Sequence, residues 1–412
     1  MTKNLTPLGP KAGKDTVRRH NLSLVLRAVR EQGEATRAGV AGRVGLTRAA
    51  VSSLVEQLLE SGFLAESGKT FSGQAGRPGT VLKPARTGPA GIGVEINVDY
   101  VSVCVVDLAG TGRVRLTEHL DNRGAPPGGV LARAARVAAS ALESAGEQGL
   151  RPVGVQLALP GLVSGGTVRQ APNLGWNRVA AEGLFAQALS AARPDHRPLP
   201  VSSDNEANLA ALAELWFGGL GAIRSFLYVT GEVGVGGALV LDGELLRGAH
   251  GFAGEIGHVL VDPAGPECRC GSRGCLEQYA GQSALLRAAG IDEGAGNSGV
   301  AELERRARSG DGRAVAAIGE AGLMLGRVLS GAVNLFDPDA VVLGGIYRGL
   351  MPWLAPGADP ELTGRVVSGL WPHGSGRLRA SSVSGDAARG AAALIIQEVL
   401  ADPVAHTEQA AG

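Results

Sequence analysis

His258, Cys268, Cys270 and Cys275 put one imidazole and three thiol donors into a single short stretch of chain. That donor set is the kind zinc takes in closed, tetrahedral structural sites, and thiolates are soft ligands. Gly265, Gly271 and Gly274 lie between or beside them and let a backbone fold around an ion. Cys104 is the one remaining cysteine. The polar, basic start of the chain (Met1 to Lys14) reads as no secretory leader, so the crowding favours metal ligation over disulfides. The alternative is a loop of free thiols, on which four such donors would have fallen together by chance.

Thr47, Arg48, Ala49, Ser52 and Ser53 form a second group. They are small, polar or basic, and share one face of a segment whose other face is Val51, Leu54, Val55, Leu58 and Leu59. Such a face suits close approach to a DNA major groove. The elements needed to present it are legible on either side. Leu22, Val25, Leu26 and Val29 have helical spacing and predict a first helix ended by Gly33. Thr36 caps a short second helix burying Val40, Ala41 and Val44, Gly45 supplies the turn, and Thr47 caps the third helix. After Gly62, a strand (Phe63 to Ala65) and a hairpin returning through Val81 and Leu82 make a wing. Arg77, in Gly76-Arg77-Pro78 at its tip, can enter a minor groove.

Charge supports that reading. The chain of 412 residues has no net charge, yet through Ala90 it holds 14 Lys and Arg against 6 Asp and Glu, and beyond it 25 against 33. A basic front on an acidic body suits a nucleic-acid-binding module joined to something else. A three-helix bundle with a hairpin can also be a protein-interaction module; the basic excess together with helix-turn-helix spacing favours DNA.

The body reads as α/β. Hydrophobic content is 44% with 64 glycines and little aromatic residue, and no apolar run approaches a membrane span, so a cytoplasmic protein without membrane contact is expected. Lys83 to Ala90 has linker composition. Strands are expected within Gly91 to Asp107, at Val153 to Ala158, Ser225 to Val229, Ala238 to Leu241 and Ala340 to Leu343. Helices are expected at Leu131 to Ala145, through Val300 to Leu335 and in the Ala-rich Asp386 to Leu400. The two α/β halves could be related folds.

Glu255-Ile256-Gly257-His258, followed by Cys268-Arg269-Cys270-Gly271 and Gly274-Cys275-Leu276-Glu277, resembles the signature of the ROK family of repressors, open reading frames and sugar kinases. The resemblance covers nearly the whole chain, because the family's repressors also carry an N-terminal winged helix-turn-helix. It implies a two-lobed sensor of actin-like, ribonuclease-H-like ATPase fold, with structural zinc shaping a sugar pocket. It also implies sugar contacts from Asn205 and Glu206 in Asp204-Asn205-Glu206-Ala207-Asn208, from Glu255 and His258, and from Glu277. Gly161 and Asn173 would close the site from the first lobe. A polyol needs such a mixture, since each hydroxyl both donates and accepts.

The family's kinases carry Asp-x-Gly-Gly-Thr in a first phosphate loop, where this chain reads Glu95-Ile96-Asn97-Val98-Asp99. Both glycines are replaced, which hinders backbone approach to phosphate, and an acid stands where the hydroxyl was. In the second loop Glu232-Val233-Gly234-Val235-Gly236 replaces the hydroxyl by Val233 and adds a charge. Glu206 occupies the position of the catalytic aspartate, and no catalytic residue is assigned. Only Val341-Val342-Leu343-Gly344-Gly345 keeps the nucleotide-side pattern.

The expectation is a sugar-responsive repressor of carbohydrate-utilisation genes without kinase activity. The alternative is an active ATP-dependent sugar kinase with a fused regulatory domain. Residues 1–17 would be a disordered arm, 18–83 the DNA-binding domain, 84–90 a linker, 91–401 the sensor and 402–412 a tail. The sensor lobes would be 91–200 plus the C-terminal helix, and 201–385. Partners are operator DNA, a sugar effector and a second copy of the chain, as a dimer or a tetramer. The glutamate in Asn205-Glu206-Ala207-Asn208 resembles the xylose-repressor branch and points to a pentose.

Overall fold

The computed structural model describes residues 13–70, 79–383 and 387–407. Helix α1 (Lys14–Gln32) starts inside the stretch expected to be a disordered arm, a correction to that boundary. Asp15 in its first turn complements the helix dipole, and Arg18 reaches Gln57 Oε1 at 2.8 Å. Gly33, at φ 71°, ends it. After β1 (Ala35–Thr36), Thr36 Oγ1 accepts the Gly39 N–H at 3.1 Å and starts α2 (Arg37–Val44). Gly45 turns in the left-handed region, and Thr47 Oγ1 accepts the Ala50 N–H at 3.2 Å to open α3 (Arg48–Glu60). Val51, Leu54, Val55 and Leu58 of α3 are buried in one cluster with Leu22, Val25, Leu26 and Val29 of α1. The wing is an antiparallel pair, β2 (Leu64–Thr70) and β3 (Gly79–Pro84), with β1 on the far side of β3. Arg77 lies outside the described residues.

The first lobe begins with the meander β4 (Gly88–Ile96), β5 (Tyr100–Asp107) and β6 (Gly112–His119), followed by α4 (Pro127–Glu147) and β7 (Leu150–Leu159), which pairs parallel to β4. A small antiparallel sheet of β8 (Leu162–Ser164), β9 (Thr167–Ala171) and β10 (Trp176–Val179) leads to α5 (Ala181–Ala192). Strand β11 (Val201–Asn205) then joins β7 in parallel, and α6 (Glu206–Phe217) leaves the sheet. The second lobe holds β12 (Phe226–Gly231), β13 (Val235–Leu241), β14 (Glu244–Leu246), α7 (Glu277–Ala280), α8 (Gln282–Ala289), α9 (Gly296–Arg308), α10 (Gly312–Phe336), β15 (Ala340–Gly345), α11 (Ile346–Arg365) and β16 (Leu378–Ala380).

Both large sheets have one plan. The order β6-β5-β4-β7-β11 and the order β14-β13-β12-β15-β16 each join a three-stranded antiparallel meander to two parallel strands. The two halves are therefore repeats of one α/β unit. Residues 201–205 belong to the first sheet through β11, so the boundary expected at 200/201 falls too early; the second sheet starts at Phe226.

Helix α12 (Ala387–Ala401) ties the parts together. It lies so close on β4 that a Cβ at Gly93 would stand 1.8 Å from the Ala388 carbonyl oxygen. Its Gly390 meets α6 as closely, with the Leu209 carbonyl 1.9 Å from a built Cβ. On another face Ile395, Ile396, Val399 and Leu400 share a core with α1 and α3. Ser23 Oγ of α1 donates to the Leu400 carbonyl at 2.7 Å.

The expected linker and tail are corrected by the same packing. Strand β4 starts at Gly88, inside 84–90, with the Gly88 N–H on the Gly149 carbonyl at 2.9 Å and the Ala85 N–H on the Phe63 carbonyl at 3.0 Å. Backbone groups satisfied in this way make a fixed connection, not a loose one. In the expected tail, 403–406 form a 3₁₀ turn: Asp402 caps the Ala405 N–H, and Arg151 donates to the His406 carbonyl. Residues 408–412 lie outside the described residues. Helix α10 is long and apolar enough by composition to cross a membrane, which the sequence reading passed over. Its apolar face is spent within the second lobe's core, where Gly322 abuts the Leu354 carbonyl of α11.

Candidate functional site

The strand β13, the 3₁₀ turn Ile256–His258 and the loop before α7 bring the metal donors together. One ligand atom from each of His258, Cys268, Cys270 and Cys275 falls within 4.8 Å of all the others. Cys268 Sγ lies 3.7 Å from His258 Nδ1, and Cys270 Sγ lies 3.7 Å from Cys275 Sγ. Zn–S bonds near 2.3 Å and Zn–N bonds near 2.0–2.1 Å at tetrahedral angles require edges of roughly 3.8 Å and roughly 3.6 Å. Two of the six edges match those values and the rest lie within 4.8 Å, so the four donors could hold a metal ion. Burial and the Cys270 and Cys268 thiols beside it push the Cys275 thiol up to about 12. Three adjacent thiols resist ionising together, and a divalent cation reverses that cost. The loop is braced by the Tyr279 hydroxyl on Asp262 Oδ2 at 3.2 Å and by the Gly274 N–H on the Pro266 carbonyl at 2.8 Å.

Because Nδ1 of His258 faces the thiols, Nε2 faces Glu255, 3.9 Å from its Oε2. That edge opens into a cleft of about 80 Å³ between the lobes. Gly161, Asn173, Asn205, Glu206, Glu255, His258 and Glu277, the residues expected at a sugar site, all line it. Gly257 lets the motif pass under β13, where a Cβ would stand 2.1 Å from the Val235 carbonyl. Asn205 caps α6: its Oδ1 accepts the Ala207 N–H at 2.8 Å and its Nδ2 donates to the Gly161 carbonyl at 2.9 Å. One amide hydrogen of Asn205 is left for a ligand. Glu277 Oε2 accepts the Val235 N–H at 3.2 Å.

Two residues that sequence reasoning did not place in the sugar site also line the cleft. Arg269, between the first two zinc cysteines, donates to Asn173 Oδ1 at 3.0 Å and so joins the metal loop to the first lobe. Glu232, read only as a charge in the second loop, faces the Gly344–Gly345 turn, with its Oε1 2.9 Å from a Cβ built at Gly345. An arginine inside a Cys-x-Cys motif carries no signal that it reaches across a cleft.

On the phosphate side the cleft is acidic. Burial, then Glu95 and Glu255, raise the Glu206 carboxyl to about 8, and its Oε2 is covered with no hydrogen-bond partner. Burial, with Glu206 and Glu95 adding to it, raises Glu232 well above the usual carboxylate range. Glu95 is buried and also raised by its burial, although it accepts the Tyr100 hydroxyl at 2.5 Å and the Ala388 N–H of α12 at 3.2 Å. The lobes are further joined by Arg247 with Asp204 and by Asn297 Nδ2 with Asp99 Oδ2 at 3.1 Å.

On the N-terminal domain, Thr47, Arg48, Ala49 and Ser53 are exposed at the start of α3, and Ser52 is half-buried. Arg37 instead pairs with Glu56 at 2.7 Å and Glu66 at 2.8 Å.

Comparison with known proteins agrees with this geometry. The ROK family model matches residues 91–398. The xylose repressor of Caldicellulosiruptor bescii is 29% identical over 339 residues, covering 79% of this chain and 82% of its own. A solved ROK family transcriptional regulator, homologous to the E. coli MLC protein, superposes with a TM-score of 0.74 at 24% identity, covering 93% of this chain and 97% of its own. A ROK family glucokinase from Streptomyces griseus, solved with glucose and AMPPNP, superposes with a TM-score of 0.61 at 29% identity, over 74% of this chain and 98% of its own. The glucokinase leaves a quarter of this chain uncovered, whereas the regulator spans nearly all of it. With the zinc-type donor set, the paired lobes and the matched span of 91–398 in agreement, this chain is a member of the ROK family.

Proposed function

We propose that the protein is a cytoplasmic, sugar-responsive transcriptional repressor whose kinase-like cleft binds its effector and transfers no phosphate. The observation that carries this reading is the position of Glu95. Its buried carboxylate lies close enough to Glu206 and Glu232 of the cleft to raise both. It also accepts the Ala388 N–H at the start of α12, the helix whose other end shares a core with the DNA-binding domain.

A sugar between Asn173, Asn205 and Glu206 on one side and Glu255, His258 and Glu277 on the other would draw the lobes together. His258, fixed by the metal through Nδ1, would offer Nε2 to a hydroxyl. Glu206, its carboxyl raised to about 8 and so protonated at neutral pH, would donate to a hydroxyl, and the shift of Glu232 runs in the same direction. A carboxyl cluster there supplies no cation to neutralise the phosphates of ATP, and any carboxylate in it would repel them. Zinc would serve structurally, holding the loop that carries His258 and Arg269. Movement of the first lobe would pass from β4 through α12 to α1 and change the spacing of two recognition helices in a dimer. In each, Arg48 with Thr47, Ala49, Ser52 and Ser53 would meet DNA, with Arg77 at the wing. The relatives named as xylose repressors make a pentose the first sugar to try.

The test is fluorescence anisotropy of the purified protein on DNA from upstream of its own gene, across pentoses and hexoses. Specific, salt-sensitive binding that one sugar weakens is expected. Binding indifferent to every sugar would remove the effector reading, and ADP release from ATP with any of the sugars would establish a kinase instead.

A further inference from the structure

A second, larger cleft of about 490 Å³ opens on the first lobe where α4 and α5 end and β7 begins. It shares no lining residue with the sugar cleft. Arg151, Arg193, His196 and Arg197 face it, with Glu143 as the one carboxylate in its lining. Leu142, Leu150 and Leu199 supply an apolar floor.

The cations are short of partners. Arg193 is half-buried, its Nε is covered and bonded to nothing, and no carboxylate lies within ion-pair distance of it among the described residues. Burial lowers its pKa, with Glu143 only partly opposing. Arg197 has no side-chain partner among the described residues. Arg151, also half-buried, makes a single bond, from Nη1 to the His406 carbonyl at 3.3 Å. Arg197 is exposed, but the two half-buried guanidinium groups carry a desolvation cost that one carbonyl and the neighbouring Glu143 only partly offset. Protein sites that gather such groups do so for an anionic partner.

We propose that this cleft is a second effector site that takes a small organic phosphate monoester. Three arginines lining one cleft, from β7 and from the segment that ends α5, suit a dianion with three acceptor oxygens, whereas a carboxylate would occupy one fork. The leucine floor takes the organic part. The site reaches the DNA-binding domain by a short route: Arg151 holds the 3₁₀ turn Pro403–His406, and Asp402 at the start of that turn pairs with Arg19 of α1 at 3.3 Å. An anion that shares Arg151 acts on the contact that seats α1.

The experiment is calorimetric titration of the full chain with phenyl phosphate, inorganic phosphate and benzoate at matched ionic strength. Phenyl phosphate is expected to bind saturably, with inorganic phosphate about tenfold weaker for want of an apolar body and benzoate weaker still. Arg193→Ala with Arg197→Ala is expected to cost at least about tenfold, and Arg193→Lys, which keeps the charge without the fork, less. Sugar binding should survive in both variants, and amide exchange over 403–407 should change when phenyl phosphate saturates the site. Absence of saturable binding, retention of it in the double variant, or benzoate binding as well as phenyl phosphate would overturn the proposal. So would a double variant that loses operator affinity with no phosphate ester bound, which would make the cleft a DNA contact. The site stands apart from the sugar reading: failure of every sugar to bind would leave these titrations unaffected.

Discussion

At Glu206 the chemistry of the cleft depends on a proton. Its folded pKa of about 8 lies above the ordinary value, so folding favours the protonated form. The stabilising contribution is complete below about pH 4.5 and disappears as the pH rises through about 8. Glu232 and Glu95 shift in the same direction and reinforce it. Thermal stability is thus expected to fall between about pH 4.5 and about pH 8, and Glu206→Gln, a neutral isostere, should flatten that fall without abolishing it. At pH 7 the same variant should hold sugar within about threefold, while Glu206→Ala loses about tenfold or more, as titrations of both would record. A wild-type Tm that rises over this range would refute the assignment. The zinc site makes a simpler prediction. Cys275→Ser should reduce bound metal from one equivalent to almost none, and a chelator should destabilise only the wild type. That loss is on the order of 4 kcal/mol where zinc stands a thousandfold above its Kd. The metal donors were legible because their residue types and spacing carry the chemistry by themselves. Arg269 was not, since its bond to Asn173 depends on how two lobes meet.

Local signals in the helices agreed with the structure wherever a side chain acts on its own backbone. Thr36 and Thr47 cap the helices they precede, and Gly33 and Gly45 end the ones they follow. Boundaries set by distant partners were not legible: Gly88 joins β4 because the Gly149 carbonyl awaits it, and 403–406 are ordered by Arg151 and Arg19. The glycines of β4 belong to the same class: Gly91 and Gly93 fall in an expected strand, but their role as the seat of α12 is set by a partner far along the chain. Gly93→Ala would drive a methyl into the Ala388 carbonyl, a backbone atom with no side-chain freedom to yield. Overpacking of this kind costs about 1–3 kcal/mol, to be read from urea unfolding. It should also weaken the coupling between sugar and operator, because α12 would leave either Glu95 or the α1 core. A variant as stable as wild type would show that α12 can shift freely, and the proposed route from cleft to DNA would be lost.

For the whole molecule, the arrangement implies an exchange of free energy between two sites that never touch. The DNA-binding domain is not tethered by a loose linker; it shares a continuous core with α12 and with Cys104, Val106 and Val153 of the first lobe. A domain held this way cannot change its position without repacking that core, and α12 is in turn seated closely on Gly91 and Gly93 of β4. Under the proposed function sugar and operator would compete for one conformational equilibrium, and thermodynamic linkage would make the competition symmetrical. If sugar weakens operator binding by a given factor, operator must weaken sugar binding by the same factor, and couplings of this type are about 5- to 150-fold. The measurement is a sugar titration of the full chain with and without saturating operator DNA, set beside an operator titration with and without saturating sugar. Equal factors in the two directions are expected, and Gly93→Ala should shrink both together. Identical sugar affinity with and without DNA would mean that the shared core is only a scaffold and that the cleft does not govern the DNA-binding domain.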